Sequence, residues 1–142
     1  MHQSDSDIEW AVSSIRAGIR SEQVAARLNG IVENGEEEVI VQKLVEDEAS
    51  SGKSASDSLR RVMEKLEQLT EAAPLSALVL MTRLALAADA AGLLDIRDAV
   101  GFWVIQLGDG ELLRRLGNLK QNAKERFERE MYELWMEQLQ SK

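Results

Sequence analysis

Carboxylates are the most plentiful groups in this sequence that could support chemistry. The chain has no cysteine and one histidine, His2, so a Cys–His nucleophile and Cys/His zinc sites are excluded and a Ser-His-Asp triad lacks a plausible base. Three acidic pairs occur at short spacing: Asp5 and Asp7, Asp95 and Asp98, and Asp109 and Glu111. Such pairs can serve acid–base catalysis, but acids also mark the first turn of helices. We therefore predict no catalytic residue, no metal and no cofactor, and keep a carboxylate-dependent enzyme as the third interpretation.

Acidic residues are concentrated in the N-terminal third of the chain. The formal net charge is −8, and residues 1–49 hold 11 acids against 4 bases. A field of this sign repels nucleic-acid phosphates and attracts basic protein surfaces. Acids at residues 36–38 suit the start of a helix, whereas those at residues 46–48 fall near a helix end, where the dipole disfavours them. The candidate partner-binding acids are Glu33, Glu36, Glu37, Glu38, Glu46, Asp47 and Glu48.

The C-terminal segment offers a second candidate surface. At 100° per residue, its apolar side chains cover an arc of about 200°, and packing on one surface needs only about 100°. Phe127, Met131 and Leu134 suffice to dock the helix on its own core. The adjoining group is predicted to make an intermolecular contact: Tyr132, Trp135, Met136 and Leu139. A homodimer or a heterologous complex would cover this group. Packing against other helices of the same chain is the alternative.

Helical periodicity runs through nearly the whole sequence. It predicts an all-α fold, a helical bundle of about six to seven helices. Pro74–Ala91 is apolar nearly all round and is expected to be the central helix, ended by Gly92. Ser21 and Asp109 are candidate N-caps, and a long C-terminal helix is expected from Gly110 onward.

Two further segments bear on how the chain is organised. Ser50–Ser56 is rich in serine and has nothing to bury, so it is predicted to be a linker or long loop. It would separate an acidic N-terminal helical lobe, residues 1–49, from a C-terminal helical bundle, residues 57–142, unless the two form one continuous domain. Asp95–Leu107 has apolar residues on two sides, with Phe102 and Ile105 on the second, and is expected to be packed on both.

The eight residues Ser21-Glu22-Gln23-Val24-Ala25-Ala26-Arg27-Leu28 resemble the first helix of bacterial helix-turn-helix regulators. The resemblance implies that the following helix is the recognition helix. That helix begins with three glutamates and its only base is Lys43, whereas recognition helices present bases and amides to the groove. A helix-turn-helix DNA-binding regulator is therefore the alternative interpretation, and no direct contact with nucleic acid is predicted.

Two segments of the sequence bear on where in the cell the protein is located. The longest apolar run, Leu75–Ala91, contains Arg83 and Asp89 and is shorter than the ~20 residues a bilayer requires. Asp5 and Asp7 stand where a secretory signal would be basic. We expect a cytoplasmic protein without a membrane-spanning segment.

These observations predict a non-enzymatic protein-binding module with a protein partner. One version is an acidic inhibitor of the phage anti-defence type, which occupies a basic nucleic-acid-binding surface of its target. The other version is an adaptor or assembly chaperone.

Overall fold

The computed structural model describes residues 3–142, with side chains described from residue 6 onward. His2 therefore lies outside the described residues, as does the side chain of Asp5. Within residues 3–142 the fold is all-helical, without strands, as predicted, but it has eight helices rather than six or seven. They are α1 (Gln3–Ala17), α2 (Glu22–Glu33), α3 (Glu37–Ala49), α4 (Ala55–Leu69), α5 (Pro74–Ala90), α6 (Leu94–Leu107), α7 (Gly110–Asn122) and α8 (Arg126–Gln140).

Helix α5 is the centre of the fold. Its sequence is apolar all round, so it can be buried on every side, and α2, α3, α4, α6, α7 and α8 all pack against it. Pro74 opens the helix, where its missing N–H removes no helical hydrogen bond. Gly92 follows the helix with a φ of +81°, a left-handed conformation that glycine adopts without strain. Leu78, Leu80 and Leu84, which point to different sides of the helix, are all buried, as expected of a central helix.

One apolar core joins the two parts of the chain that the sequence separates at residues 50–56. The cluster of buried side chains extends from Ile8 in α1 to Leu139 in α8. Helix α3 packs against α1, which precedes the division, and against α4 and α5, which follow it. Residues 6–49 and 57–142 therefore share a core.

The segment between α3 and α4 is a short hydrogen-bonded turn. The Ser50 hydroxyl donates to the Asp47 carbonyl and the Ser51 hydroxyl to the Glu48 carbonyl, both at 2.7 Å. Ser54 caps α4, its hydroxyl accepting from the Asp57 N–H at 3.1 Å, so the helix begins at Ala55 rather than after residue 56. The serines of this stretch act as caps for two helix ends.

The prediction of one long C-terminal helix is wrong. The chain leaves helical geometry at Ala123, whose ψ is 132°, and α8 runs back along α7. Lys120 Nζ lies 3.7 Å from Glu133 Oε2 across this hairpin, and the Arg129 guanidinium donates to the Ala123 and Lys124 carbonyls at 3.1 and 3.2 Å. A single helix of about 30 residues would be roughly 45 Å long and would extend beyond the core, whereas two shorter helices both bury their apolar stripes.

A buried arginine ties α7 to the end of α2. Arg115 is buried, and its Nη2 donates to the Val32 carbonyl in the last turn of α2 at 2.9 Å. That turn has no basic residue of its own, and a positive charge there stabilises the negative end of the helix dipole.

Arg115→Met is expected to lower the free energy of unfolding by about 1–2 kcal/mol, because it removes a charge-assisted hydrogen bond but keeps the aliphatic volume. Urea unfolding followed by circular dichroism measures the change. The matched control is Arg114→Met. Arg114 is exposed and pairs with Glu33 and Glu111, and surface pairs contribute roughly 0–1 kcal/mol. Equal losses in the two variants would contradict the role assigned to Arg115.

Candidate protein-binding surface

The predicted partner-binding acids are largely engaged with bases of the same chain. Four of the seven form ion pairs: Glu33 with Arg114 at 3.1 Å, Glu38 with Arg83 at 3.1 Å, Asp47 with Arg16 at 3.4 Å and Glu48 with Lys53 at 3.1 Å. Glu46 is exposed and accepts a hydrogen bond from Gln42, and Glu36 is half-buried at the start of α3. Exposed ion pairs contribute little stability, but they offset part of the acidic field. The acids at residues 46–48, at the unfavourable end of α3, are thus partly compensated.

Two of these acids are not on the surface. Glu37 is 8% exposed and Glu48 is also buried, so both are corrections to the predicted partner-binding set. Glu37 borders residues of α5, α7 and α8, and Glu48 borders residues of α1 and pairs with Lys53. The sequence of α3 alone does not reveal these neighbours. The Glu37 Oε2 atom has no hydrogen-bond partner within the described residues.

The predicted intermolecular contact on α8 is also wrong for its main residues. The four side chains are buried or half-buried in the monomer: Tyr132, Trp135, Met136 and Leu139. Trp135 is 1% exposed and contacts the Tyr132 ring edge-on, with centroids 5.8 Å apart. Phe127 and Leu134, expected to dock the helix, are exposed instead. The alternative of packing within the chain holds, because α6 and α7 both pack against α8 and cover its wide apolar arc.

A polar cluster around Arg83 links α3, α5 and α8. The guanidinium lies 3.1 Å from Glu38 Oε1 and donates to Glu128 Oε2 at 3.0 Å. Burial acts to lower the pKa of Arg83, but the two carboxylates outweigh it and raise that pKa. Burial raises the pKa of the neighbouring Tyr132 hydroxyl to about 12. A shallow cavity of about 270 Å³ opens beside this cluster and is lined by Glu37 as well. The paired charges join three helices, so we interpret the cluster as structural.

Helix α6 carries exposed apolar residues on the side that faces away from the core. Ile96, Val100 and Val104 face the core. Leu94, Phe102 and Ile105 are exposed, and Phe102 is 56% exposed, the highest value among the large apolar side chains described. At 100° per residue these three lie within an arc of about 80°. Together with the exposed Asp98, which lies at the centre of this arc, they form one face, which we name the α6 outer face.

The α6 outer face continues onto α8. The two helices run in the same direction, because Gly101 lies against Gln138 and the Ile105 carbonyl accepts from Lys142 Nζ at 2.9 Å. A Cβ at Gly101 would be 3.3 Å from Gln138 Oε1, so glycine permits this close approach. Leu134 lies one turn before Gln138, on the same side of α8, and is 41% exposed. Two helices in contact leave a depression along their line of contact, and exposed apolar side chains lie on both sides of it here: Ile105 and Phe102 on α6, and Leu134 on α8. We name this depression the groove.

Sequence reasoning finds the residues of the α6 outer face but assigns them the wrong environment. The apolar spacing places Phe102 and Ile105 on the second side of the helix and predicts that this side is packed. In the structure, Trp103 Nε1 donates to Glu67 Oε2 at 2.9 Å, so the flank of α6 beside α4 is covered. The side carrying Phe102 and Ile105 is exposed instead. The sequence shows that α6 has apolar residues on a second side. Only the packing of the neighbouring helices shows that this side is exposed and could bind a partner.

Two of the three acidic pairs considered for catalysis have a member at a helix start, and Asp7 of the third pair lies 3.5 Å from Arg27 Nη2. The Asp109 carboxylate accepts from the Leu112 N–H at 3.0 Å and caps α7, as predicted. Asp95 lies in the first turn of α6 and pairs with Arg60, which lowers the pKa of its carboxyl. Among the residues with described side chains, no group of three or more acids, histidines or cysteines could hold a metal ion. None of the helices within residues 3–142 has the length and apolar character to span a bilayer.

Comparison with known proteins gives no further information about this surface. Neither protein-family models nor curated proteins nor solved structures gave a match to the chain.

Proposed function

We propose that the protein is a non-enzymatic binding module that docks a partner protein through the α6 outer face. The observation that carries the proposal is the exposure of Phe102 at 56%, with Ile105 one turn after it and Leu94 about two turns before it on the same side of α6. Contiguous apolar patches are usually kept small on soluble monomers, and larger ones mark interaction sites. Aromatic side chains at the centre of such a patch commonly supply most of the binding free energy.

The proposal places the contact on a different surface from the two that the sequence suggested. The α8 aromatics are in the core, and four of the seven acids are paired with bases of the chain. An inhibitor and an adaptor would each need an exposed surface to bind a partner. The α6 outer face contains Phe102, whose exposed fraction is the highest among the large apolar side chains described. The acidic charge would then steer the approach of a basic partner rather than form the contact itself.

Selection of peptide ligands tests the proposal even though the partner is unidentified. A displayed library of short peptides is panned against the immobilised protein, and the selected ligands are then measured against two variants. Phe102→Glu is expected to weaken most selected ligands by at least ~30-fold, the effect of losing an anchor residue. Val39→Glu is the matched control, because Val39 is an exposed apolar residue on α3 and the charge change is identical.

Thermal melting establishes that both variants are folded. Because both sites are exposed, each variant is expected to melt close to the wild type. If the selected ligands bind Phe102→Glu as tightly as the wild type, the α6 outer face is not the docking surface and the proposal fails.

A further inference from the structure

We propose that the partner docked on the α6 outer face presents an amphipathic helix whose apolar stripe is flanked by lysine and arginine. The inference rests on the proposed function and specifies the chemistry of its partner. Helices laid into grooves are a recurrent recognition mode, in which anchors three and four residues apart meet an apolar channel. The geometry of α6 and α8 and the charges beside them are the two observations that support it.

The groove has the shape that a helix requires. Two parallel helices in close contact leave a channel along their line of approach, here at Gly101 and Gln138. Ile105 and Phe102 stand on the α6 side of that line, and Leu134 stands on the α8 side. An apolar stripe of i, i+4 and i+7 side chains on a third helix would contact both walls.

The charges beside the groove favour a basic occupant. Asp98 lies at the centre of the arc of the α6 outer face, and its side chain is 76% exposed. Its ion pair with Arg97 is long, at 3.8 Å, and Arg97 is shared with Asp89 at 3.2 Å. On the α8 side, the exposed Glu137 side chain has no ion pair within the described part of the chain. These two carboxylates are available to a partner's bases.

The bases beside the groove are already engaged. Arg97 donates to Asp89 at 3.2 Å, and Lys142 Nζ donates to the Ile105 and Gly108 carbonyls at 2.9 and 2.7 Å. A second copy of this chain would bring its own acidic groove and a net charge of −8, which opposes self-association. Charge complementarity therefore selects a heterologous basic helix over a homodimer.

Two matched synthetic peptides test the inference. Each has about 18 residues and a leucine stripe at helical spacing, one with lysine and one with glutamate at the flanking positions. Fluorescence anisotropy of the labelled peptides measures binding to the 142-residue chain at physiological ionic strength. The lysine peptide is expected to bind at least ~10-fold more tightly than the glutamate peptide, because only the lysine peptide meets Asp98 and Glu137 with opposite charge.

Variants separate a specific site from general attraction to an acidic protein. Phe102→Glu adds a negative charge and would strengthen general attraction, so a loss of at least ~30-fold for the lysine peptide identifies the groove. Val39→Glu adds the same charge on α3 and is expected to leave binding unchanged. The double variant Asp98→Lys/Glu137→Lys is expected to weaken the lysine peptide and to strengthen the glutamate peptide.

Four other outcomes would overturn the inference. Equal binding of both peptides, lost in Phe102→Glu, retains the docking surface but refutes its basic partner. Failure of both peptides, while library ligands still depend on Phe102, refutes a helical partner and keeps the proposed function. Undiminished binding of the lysine peptide to Phe102→Glu refutes the groove as its site. A dimer seen by sedimentation in the wild type and lost in Phe102→Glu makes the occupant a second copy.

Discussion

Replacing Trp135 with alanine is expected to lower the free energy of unfolding by about 3–5 kcal/mol. Trp135 is 1% exposed and packs edge-on against Tyr132 between α6 and α7. Truncation removes a large buried ring and leaves a cavity that the surrounding helices can fill only in part. Guanidinium chloride unfolding followed by far-ultraviolet circular dichroism gives the change directly.

The adjacent residue supplies the control for this experiment. Leu134 is 41% exposed, so Leu134→Ala is expected to cost less than about 1 kcal/mol. A Trp135→Ala protein that unfolds like the wild type but loses an intermolecular contact would contradict the core position. It would also restore the interface that the sequence predicted on α8.

Raising the pH is expected to reduce stability through the single tyrosine of the chain. Burial raises the pKa of Tyr132 from 10.0 to about 12, so the folded state favours the neutral phenol. Between pH 10 and pH 12 the unfolded chain loses this proton while the folded chain keeps it, and the free energy of unfolding therefore falls as the pH rises. The difference between the pKa of the folded and the unfolded state corresponds to a decrease of about 2–3 kcal/mol in the free energy of unfolding.

Tyr132 can be followed without interference from other tyrosines, because the sequence contains only one. Tyrosinate absorbance should titrate with a midpoint near pH 12 in the folded protein. Tyr132→Phe removes the titrating group, so the stability of this variant should not show this part of the alkaline decline. A midpoint near pH 10 in the folded protein would show that the hydroxyl is accessible to water.

The sequence by itself determined the fold class and most helix boundaries, because those depend on local chemistry. Apolar spacing predicts helices, and capping predicts where they start. Asp109 accepts from the first turn of α7, Ser21 does the same for α2, and Pro74 opens α5. The burial of α5 was also predictable, since a helix that is apolar on all sides must be buried.

Tertiary structure alone decided which apolar and acidic side chains are free to bind a partner. The break at Ala123 sends α8 back along α7, so Trp135 enters the core and Leu134 faces outward. The acids that looked like a binding surface meet bases from distant helices, as Glu33 meets Arg114. The second side of α6 is left uncovered at Phe102 because its neighbours pack elsewhere. Periodicity reports that a helix has an apolar side, but contacts distant in sequence decide whether another helix covers it.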